Sequence, residues 1–196
     1  MSDFNIKITE KPTANPITIQ EMKGHLNLVK TETDFDSEIE SFIESAVDEC
    51  EGFTGLYFMK RSAQIYVDEF SMISIFYGCG PIQSIDFIEY KGKDGSWKIL
   101  DPGEYSVDLI SEIPRVKITG TFPDLIDDEF NRVRFNVVLG FSAGTEIEQQ
   151  NAVPGRIKQA IKLRVARHFQ TRDDKMIKGD LIHAADQLLF PFKSFV

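Results

Sequence analysis

Residues that build disulfide frameworks or metal sites are scarce in this chain. Its 196 residues include two cysteines, too few for a disulfide framework, so we expect reduced thiols. The three histidines stand apart, and neither Cys-x-x-Cys nor His-Glu-x-x-His occurs, which argues against a zinc site. A chain of this length buries enough surface to be stable without such links. We therefore expect a fold held by a hydrophobic core.

Positive charge and long apolar runs are also limited. The chain has 22 Lys and Arg against 31 Asp and Glu, a net charge of −9, which disfavours binding to nucleic acid or anionic membranes through overall charge. No stretch approaches the roughly 20 apolar residues of a membrane span. The first residues lack a basic segment followed by an apolar run, so we expect no signal peptide and no membrane partner.

Motifs of known catalytic sites are missing as well. No Gly-x-Ser-x-Gly occurs, and Gly78-Cys79-Gly80 lacks the Gly-Lys-Ser/Thr of a phosphate loop, so a turn cysteine is the favoured interpretation. One acidic cluster could hold a hard cation, but it lacks calcium-loop spacing and fits a solvated loop better. That cluster is Asp124, Asp127, Asp128 and Glu129. We predict a protein that is not an enzyme, with no catalytic residue, no cofactor and no metal.

Helical periodicity is strong in two segments. Residues 36–54, with Asp36 or Ser37 as the cap, place apolar residues on one face, and so do residues 155–171. Thr18 followed by Glu21 is a capping box that predicts a short helix over 19–28. Residues 181–189 predict a last helix, stopped by Pro191.

The middle of the chain changes to the two-residue period of strands. The clearest strand is Arg132–Gly140, and Asp94-Gly95 predicts a hairpin turn between Ser84–Tyr90 and Ser96–Leu100. The order of helices, strands and helices predicts an α+β fold. We expect the N-terminal and C-terminal helices to pack as a helical bundle, with a central antiparallel β region.

This pattern gives the expected domain organisation. We predict a flexible N-terminal arm over residues 1–17 and a single domain over residues 18–196. The domain comprises helices over 18–55, a β region over 62–140, a polar loop over 141–153 and C-terminal helices over 154–190. The arm and the loop show no folding pattern, so we expect both to order on docking.

Two helices carry opposite charge. Residues 31–59 contain no Lys or Arg but many carboxylates, whereas residues 155–178 contain eight Lys and Arg against two Asp. These faces are either solvated or complementary, within one chain or between copies. A DNA-binding role for the basic helix is disfavoured by its lack of one clean basic face. The candidate subunit-interface residues are Glu40, Glu44, Asp48, Glu51, Arg156, Lys158, Lys162, Arg164 and Arg167.

Six segments resemble successive motifs of the head–tail connector proteins of tailed bacteriophages, also described as head-completion or portal-adaptor proteins. Ile17–Leu28 resembles their opening segment, a threonine followed by Glu-x-x-Lys-x-His-Leu. The order and spacing of the segments carry the resemblance from Ile17 to Lys193, with Phe141 and Phe192 in place of tyrosine and Lys193 in place of arginine. The other five segments are Glu51–Gly55, Pro81–Ile85, Val133–Phe141, Val153–Ile161 and Gln187–Lys193.

The resemblance implies a structural role in a virion. Such proteins form a ring beneath the portal protein, extend the DNA channel and offer a platform for a neck or tail-completion protein. DNA passes through the channel without specific binding. The location would be the virion neck at the head–tail junction, after synthesis in the host bacterial cytoplasm. Since ring assembly in this family can depend on the portal, the isolated chain can be a monomer.

Other functions compete with this one. A stopper or a tail terminator would differ only in its position in the neck or tail. A small DNA-binding accessory protein would bind DNA in a salt-dependent way. A small hydrolase or nucleotide-binding enzyme would need a cleft with converging polar groups.

Overall fold

The fold combines strands and helices in two compact units. It is taken from a computed structural model that describes residues 4–71, 73–76, 78–111, 113–171 and 180–193. The first unit combines Met1–Pro12 with Lys60–Ala143, and the second combines Thr13–Met59 with Gly144–Phe195. Across the described residues there are five α-helices and eight strands, which confirms the α+β class.

The first unit contains two antiparallel sheets. One has five strands in the order β1-β2-β8-β4-β5, and the other has the order β3-β7-β6. A short 3-10 helix, Pro102–Glu104, precedes β6. The strands are β1 Asn5–Glu10, β2 Arg61–Val67, β3 Ile73–Ile75, β4 Ile82–Lys91, β5 Trp97–Ile99, β6 Tyr105–Asp108, β7 Arg115–Ile118 and β8 Val133–Leu139.

Strand β8 forms the centre of the larger sheet and of the core of this unit. Its alternate residues Val133, Phe135, Val137 and Leu139 are buried, as the sequence predicted. Phe135 lies in register with Ile65 of β2 and Ile88 of β4 and contacts the ring of Phe76, with ring centroids 5.0 Å apart. Removal of these apolar side chains from water stabilises the unit.

The opposite face of β8 carries a polar network. Arg134 donates two hydrogen bonds to Glu89 of β4, over 2.6 and 3.0 Å, and its guanidinium lies 4.1 Å from the ring centre of Trp97. Asn136 donates to the same carboxylate over 2.9 Å. The hydrogen bonds from Arg134, which outweigh burial, lower the pKa of Glu89.

The predicted N-terminal arm is corrected by strand β1. Asn5–Glu10 pairs antiparallel with β2, with Ile6 opposite Ile65 and Ile8 opposite Ala63. The alternation of Ile6 and Ile8 is too short to distinguish an edge strand from a loose arm in the sequence. The backbone partners supplied by β2 decide the conformation.

Five helices form the second unit, in agreement with the predicted bundle. Helix α4 packs against α2 and α5, and its residues Ile157, Ala160, Ile161 and Val165 are buried. The 3-10 helix Phe190–Phe192 follows α5. The helices are α1 Ile19–His25, α2 Asp36–Thr54, α3 Glu146–Ala152, α4 Gly155–Thr171 and α5 Asp180–Leu189.

Helix ends agree with the sequence in part. Thr18 and Glu21 form both hydrogen bonds of the predicted capping box, but α1 ends at His25 rather than at residue 28. The N-cap of α2 is Phe35, which makes no side-chain cap hydrogen bond, so the predicted cap at Asp36 or Ser37 was wrong. Both predicted residues lie inside the helix instead, where Asp36, together with Glu38, adds carboxylate charge to the first turn.

The predicted loop over 141–153 is corrected by helix α3. Thr145 and Glu148 form a second capping box, in which the Thr145 N–H donates to the Glu148 carboxylate over 2.7 Å. Ile147 is exposed, so no apolar stripe marks this helix in the sequence. Whether residues 1–17 and 141–153 order only on docking stays a prediction, tested by their protection from proteolysis in the isolated chain. A single domain over 18–196 stays a prediction, tested by whether the chain unfolds in one transition.

Candidate functional site

The predicted acidic stripe lies on α2. Glu40, Glu44 and Asp48 follow one another at four-residue spacing and are all exposed. Like charges at this spacing repel one another slightly, which a solvated helix tolerates. The stripe is therefore open to a positively charged partner surface.

Glu51, the fourth predicted acidic residue, is used inside the second unit. It is 8% exposed, and its carboxylate accepts a hydrogen bond from the Phe58 N–H over 2.8 Å. The hydroxyl of the neighbouring Thr54 donates to the Cys50 carbonyl over 2.9 Å, and Gly55 ends the helix in the left-handed conformation. Glu51 thus fixes the chain after α2.

Arg164 is the centre of an ion-pair network among three helices. Its guanidinium donates to Glu49 of α2 and, over 2.5 Å, to Asp186 of α5. His168 contacts the same Glu49 carboxylate at 3.0 Å and stacks on Phe42, with ring centroids 5.7 Å apart. The complementary pairing expected of the two helices occurs here within one chain.

The electrostatics of this network favour the charged form of Glu49. Burial alone raises the pKa of Glu49, but the hydrogen bond and the charge of Arg164, together with His168, lower it below its ordinary value. The arginine side chain is only 8% exposed, so its charge must be compensated locally. No local pattern marks Glu49 or Asp186 as a partner of Arg164, because Glu49 and Arg164 are 115 residues apart in the chain and only the fold brings them together.

The remaining predicted basic residues lie on more open parts of α4. Arg156 is exposed, and Lys158 and Arg167 are half-buried. Lys162 lies 3.9 Å from the carboxylate of Glu21. Burial, followed by the charge of Lys162, lowers the pKa of His25. The structure thus leaves Arg156, Lys158 and Arg167 as the open part of the predicted basic surface.

The described residues offer neither a metal site nor a reactive thiol. In those ranges no group of three or more His, Cys, Asp or Glu side chains could hold a metal ion. Burial raises the pKa of Cys79 to about 12, and that of Cys50 also to about 12, so neither thiol is a ready nucleophile. Of the helices in the described part of the chain, none has the length and apolar character to span a membrane.

The acidic cluster considered as a cation site pairs partly with lysines. Glu129 contacts Lys91, and Asp124 lies 3.4 Å from Lys93. Asp127 and Asp128 are exposed. This arrangement fits the solvated loop that the sequence favoured.

Comparison with solved structures finds this fold over nearly the whole chain. A chain in the "Neck of empty GTA particle computed with C6 symmetry" matches with a TM-score of 0.79 and 16% identity, covering 98% of this chain and 96% of that chain. A chain in the "Virion of native gene transfer agent (GTA) particle" matches with a TM-score of 0.77 and 16% identity, covering 97% and 96%. A chain in the "Neck of native GTA particle computed with C12 symmetry" matches with a TM-score of 0.67 and 18% identity, over 97% and 96%.

These similarities establish a shared fold. Their coverage of 97–98% of the chain means that residues of both units are matched. No protein-family model matches the sequence, and no curated protein matches it.

Proposed function

We propose that this chain is a structural, non-enzymatic subunit of a virion neck, acting as a head–tail connector. In this role it forms a ring beneath the portal protein, extends the DNA channel and provides the platform on which a neck or tail-completion protein docks. The observation that carries the proposal is the match of 98% of the chain, at a TM-score of 0.79, to a chain in the neck of a gene transfer agent particle.

The symmetry named for the similar neck structures supports a ring. Two of them were computed with C6 and C12 symmetry, and cyclic symmetry requires that one patch of each subunit contact a different patch of the next. The exposed acidic stripe of α2 and the open basic residues of α4 are two such patches of opposite charge. Complementary charge of this kind favours correct registration and fast association.

The acidic composition agrees with a channel through which DNA passes without being bound. With a net charge of −9, the chain repels the phosphate backbone in general, so DNA would pass through the ring without specific contacts. We propose the portal protein and a neck or tail-completion protein as the other partners, the virion neck as the location and the host bacterial cytoplasm as the site of synthesis.

Recruitment to portal complexes is the experiment that tests the proposal. Purified protein is measured by light scattering alone and after addition of portal complexes, and large species are imaged by negative stain. Rings that form alone or on portals are the expected result. Failure to form rings under both conditions would contradict the proposal, and a stopper or tail terminator would instead bind to other neck or tail complexes.

The charge contribution is tested separately. Glu44→Lys reverses one charge of the α2 stripe and should weaken ring formation, with wild-type rings loosening as salt rises. Asp86→Lys, at an exposed residue of β4, is the matched control and should assemble like the wild type. Rings that ignore both salt and Glu44→Lys would remove the stripe from the interface while leaving the connector role in place.

A further inference from the structure

An exposed aromatic side chain projects from the loop between β7 and β8. Phe130 is 82% exposed, although the residues around it are held in place. Burying a phenylalanine contributes about 2 kcal/mol or more to stability. This side chain contributes little of that to its own fold, so it is available to a partner.

Both ends of the loop are anchored within the first unit. Before Phe130, the Ile126 N–H donates to the Lys91 carbonyl over 3.0 Å. After it, the Asn131 N–H donates to the Asp68 carboxylate over 2.7 Å, and Arg132 donates to the Ile126 carbonyl over 2.9 Å. The loop therefore presents Phe130 in a defined position, which lowers the entropy cost of docking.

The backbone around Phe130 contains two residues in the left-handed conformation. Asp128 and Asn131 have φ angles of 55° and 56°, which lie in the left-handed region that residues other than glycine seldom adopt. After glycine, Asn and Asp adopt that conformation most readily. Together with Phe130, the exposed Asp127 and Asp128 give the loop an apolar tip with negative charge beside it.

A pocket of complementary character lies elsewhere in the same unit. It has a volume of about 330 Å³, is open to solvent, and lies on the sheet formed by β6 and β7. Val107 provides an exposed apolar surface, Lys117 an exposed positive charge, and Arg115 is held by Asp108 over 2.9 Å. The pocket is lined by Ser106, Val107, Asp108, Arg115 and Lys117.

We propose that Phe130 of one copy inserts into the Val107 pocket of a neighbouring copy, where Asp127 and Asp128 face Lys117. The occupant is a second copy of this chain because the acidic loop and the cationic pocket are complementary in charge, and the apolar tip matches the apolar surface of the pocket. This inference rests on the proposed ring and adds a contact to it that is independent of α2 and α4. Such a contact joins two different patches and can be repeated around a ring.

Disulfide trapping between two variants, each with one added cysteine, tests the contact. Phe130→Cys and Val107→Cys proteins are mixed at high concentration and oxidised mildly, in free solution and on portal complexes. The natural cysteines should not interfere, because burial raises the pKa of both thiols to about 12. We expect covalent dimers from the mixture and few from either variant alone, since the contact joins different patches.

A matched pair gives the control. Ile99 is exposed on β5, outside both patches, so Ile99→Cys mixed with Phe130→Cys should give only background dimers. The double variant Phe130→Cys with Val107→Cys should give a ladder of covalent multimers that ends at the ring. A yield of mixed dimers no higher than in the Ile99→Cys control would overturn the proposal.

A second measurement separates this inference from the proposed function. Phe130→Ser should fold normally and weaken association between copies about thirtyfold, the loss expected for a central interface aromatic. If wild-type and Phe130→Ser proteins form equal rings and no mixed dimers are trapped, the contact is wrong and the connector role stands. If the wild type never forms rings, the connector role fails, and trapping in free solution still decides the contact. Trapping of Phe130→Cys only to a different neck protein would also overturn it.

Discussion

Arg164 of α4 and Asp186 of α5 form an ion pair in which the guanidinium donates to the carboxylate over 2.5 Å, while the same guanidinium contacts Glu49 of α2. Arg164 is one of the candidate interface residues, and these contacts hold its guanidinium within its own chain. Its charge is compensated within the second unit by these two carboxylates.

Replacement of Arg164 should destabilise the second unit. Arg164→Met removes the cation between two carboxylates. The loss of one partner of a buried ion pair lowers the free energy of unfolding by about 3 kcal/mol at the low end of the usual range. We expect this low value because both carboxylates are about one third exposed. Urea denaturation followed by circular dichroism measures the change. Arg156→Met, at an exposed residue of the same helix, should stay within about 0.5 kcal/mol of wild type.

The decline of the free energy of unfolding at acid pH should depend on Glu49 and Glu89. Both carboxyl pKa values are lowered in the folded state, so the native protein binds fewer protons than the unfolded chain near the ordinary value of 4.5. Their stabilising contribution is therefore present above that pH and is lost as the pH falls through the lowered values. Free energies of unfolding measured from neutral pH downward should decline in this acid range.

A variant isolates the contribution of Glu89. Glu89→Gln should give a shallower acid decline than wild type, because it removes one of the groups with a lowered pKa. Glu40→Gln, at an exposed residue of α2, should keep the wild-type slope. Equal slopes for wild type and Glu89→Gln would show that the Arg134 contact does not persist in solution.

Lys23 should be needed for the connection between α1 and α2. It is 1% exposed, pairs with Asp36, and donates to the carbonyls of Lys30, over 3.4 Å, and Glu32. Lys23→Met would remove the cation beside Asp36 and a donor to both carbonyls, of which that of Lys30 would keep Gln20, at an expected cost of about 3 kcal/mol. Thermal unfolding measures the loss. Lys11→Met, at an exposed lysine, is the comparison, and a similar melting temperature for both variants would contradict the prediction.

Two phenylalanines should differ sharply in their effect on folding. Phe135 is 1% exposed at the centre of the larger sheet, so Phe135→Ala should cost about 3–5 kcal/mol. Phe130→Ala removes an exposed side chain and should change the free energy of unfolding by less than about 0.5 kcal/mol. Chemical denaturation of the two variants measures both values, and a large loss for Phe130→Ala would mean that this side chain supports its own chain.

Local patterns in the sequence were sufficient for most of the regular structure. The predicted helix over 155–171 matches Gly155–Thr171, and the predicted strand Arg132–Gly140 matches Val133–Leu139 within one residue at each end. These elements have a continuous period that their own burial satisfies. Strand β1 and helix α3 were missed, because an edge strand depends on its neighbour and a helix without an apolar stripe is marked only by its capping box.

By itself the sequence determined the α+β class, the order of helices and strands, and the separation of acidic and basic charge between α2 and α4, because these follow from residue period and composition along the chain. Only the tertiary structure decided which charges remain open. It buries Arg164 against Glu49 and Asp186, uses Glu51 to bind the Phe58 N–H, and leaves Phe130 exposed on an anchored loop. The physical reason is that these contacts join residues far apart in the chain, so no local pattern records which ionic groups find a partner and which side chains remain without one.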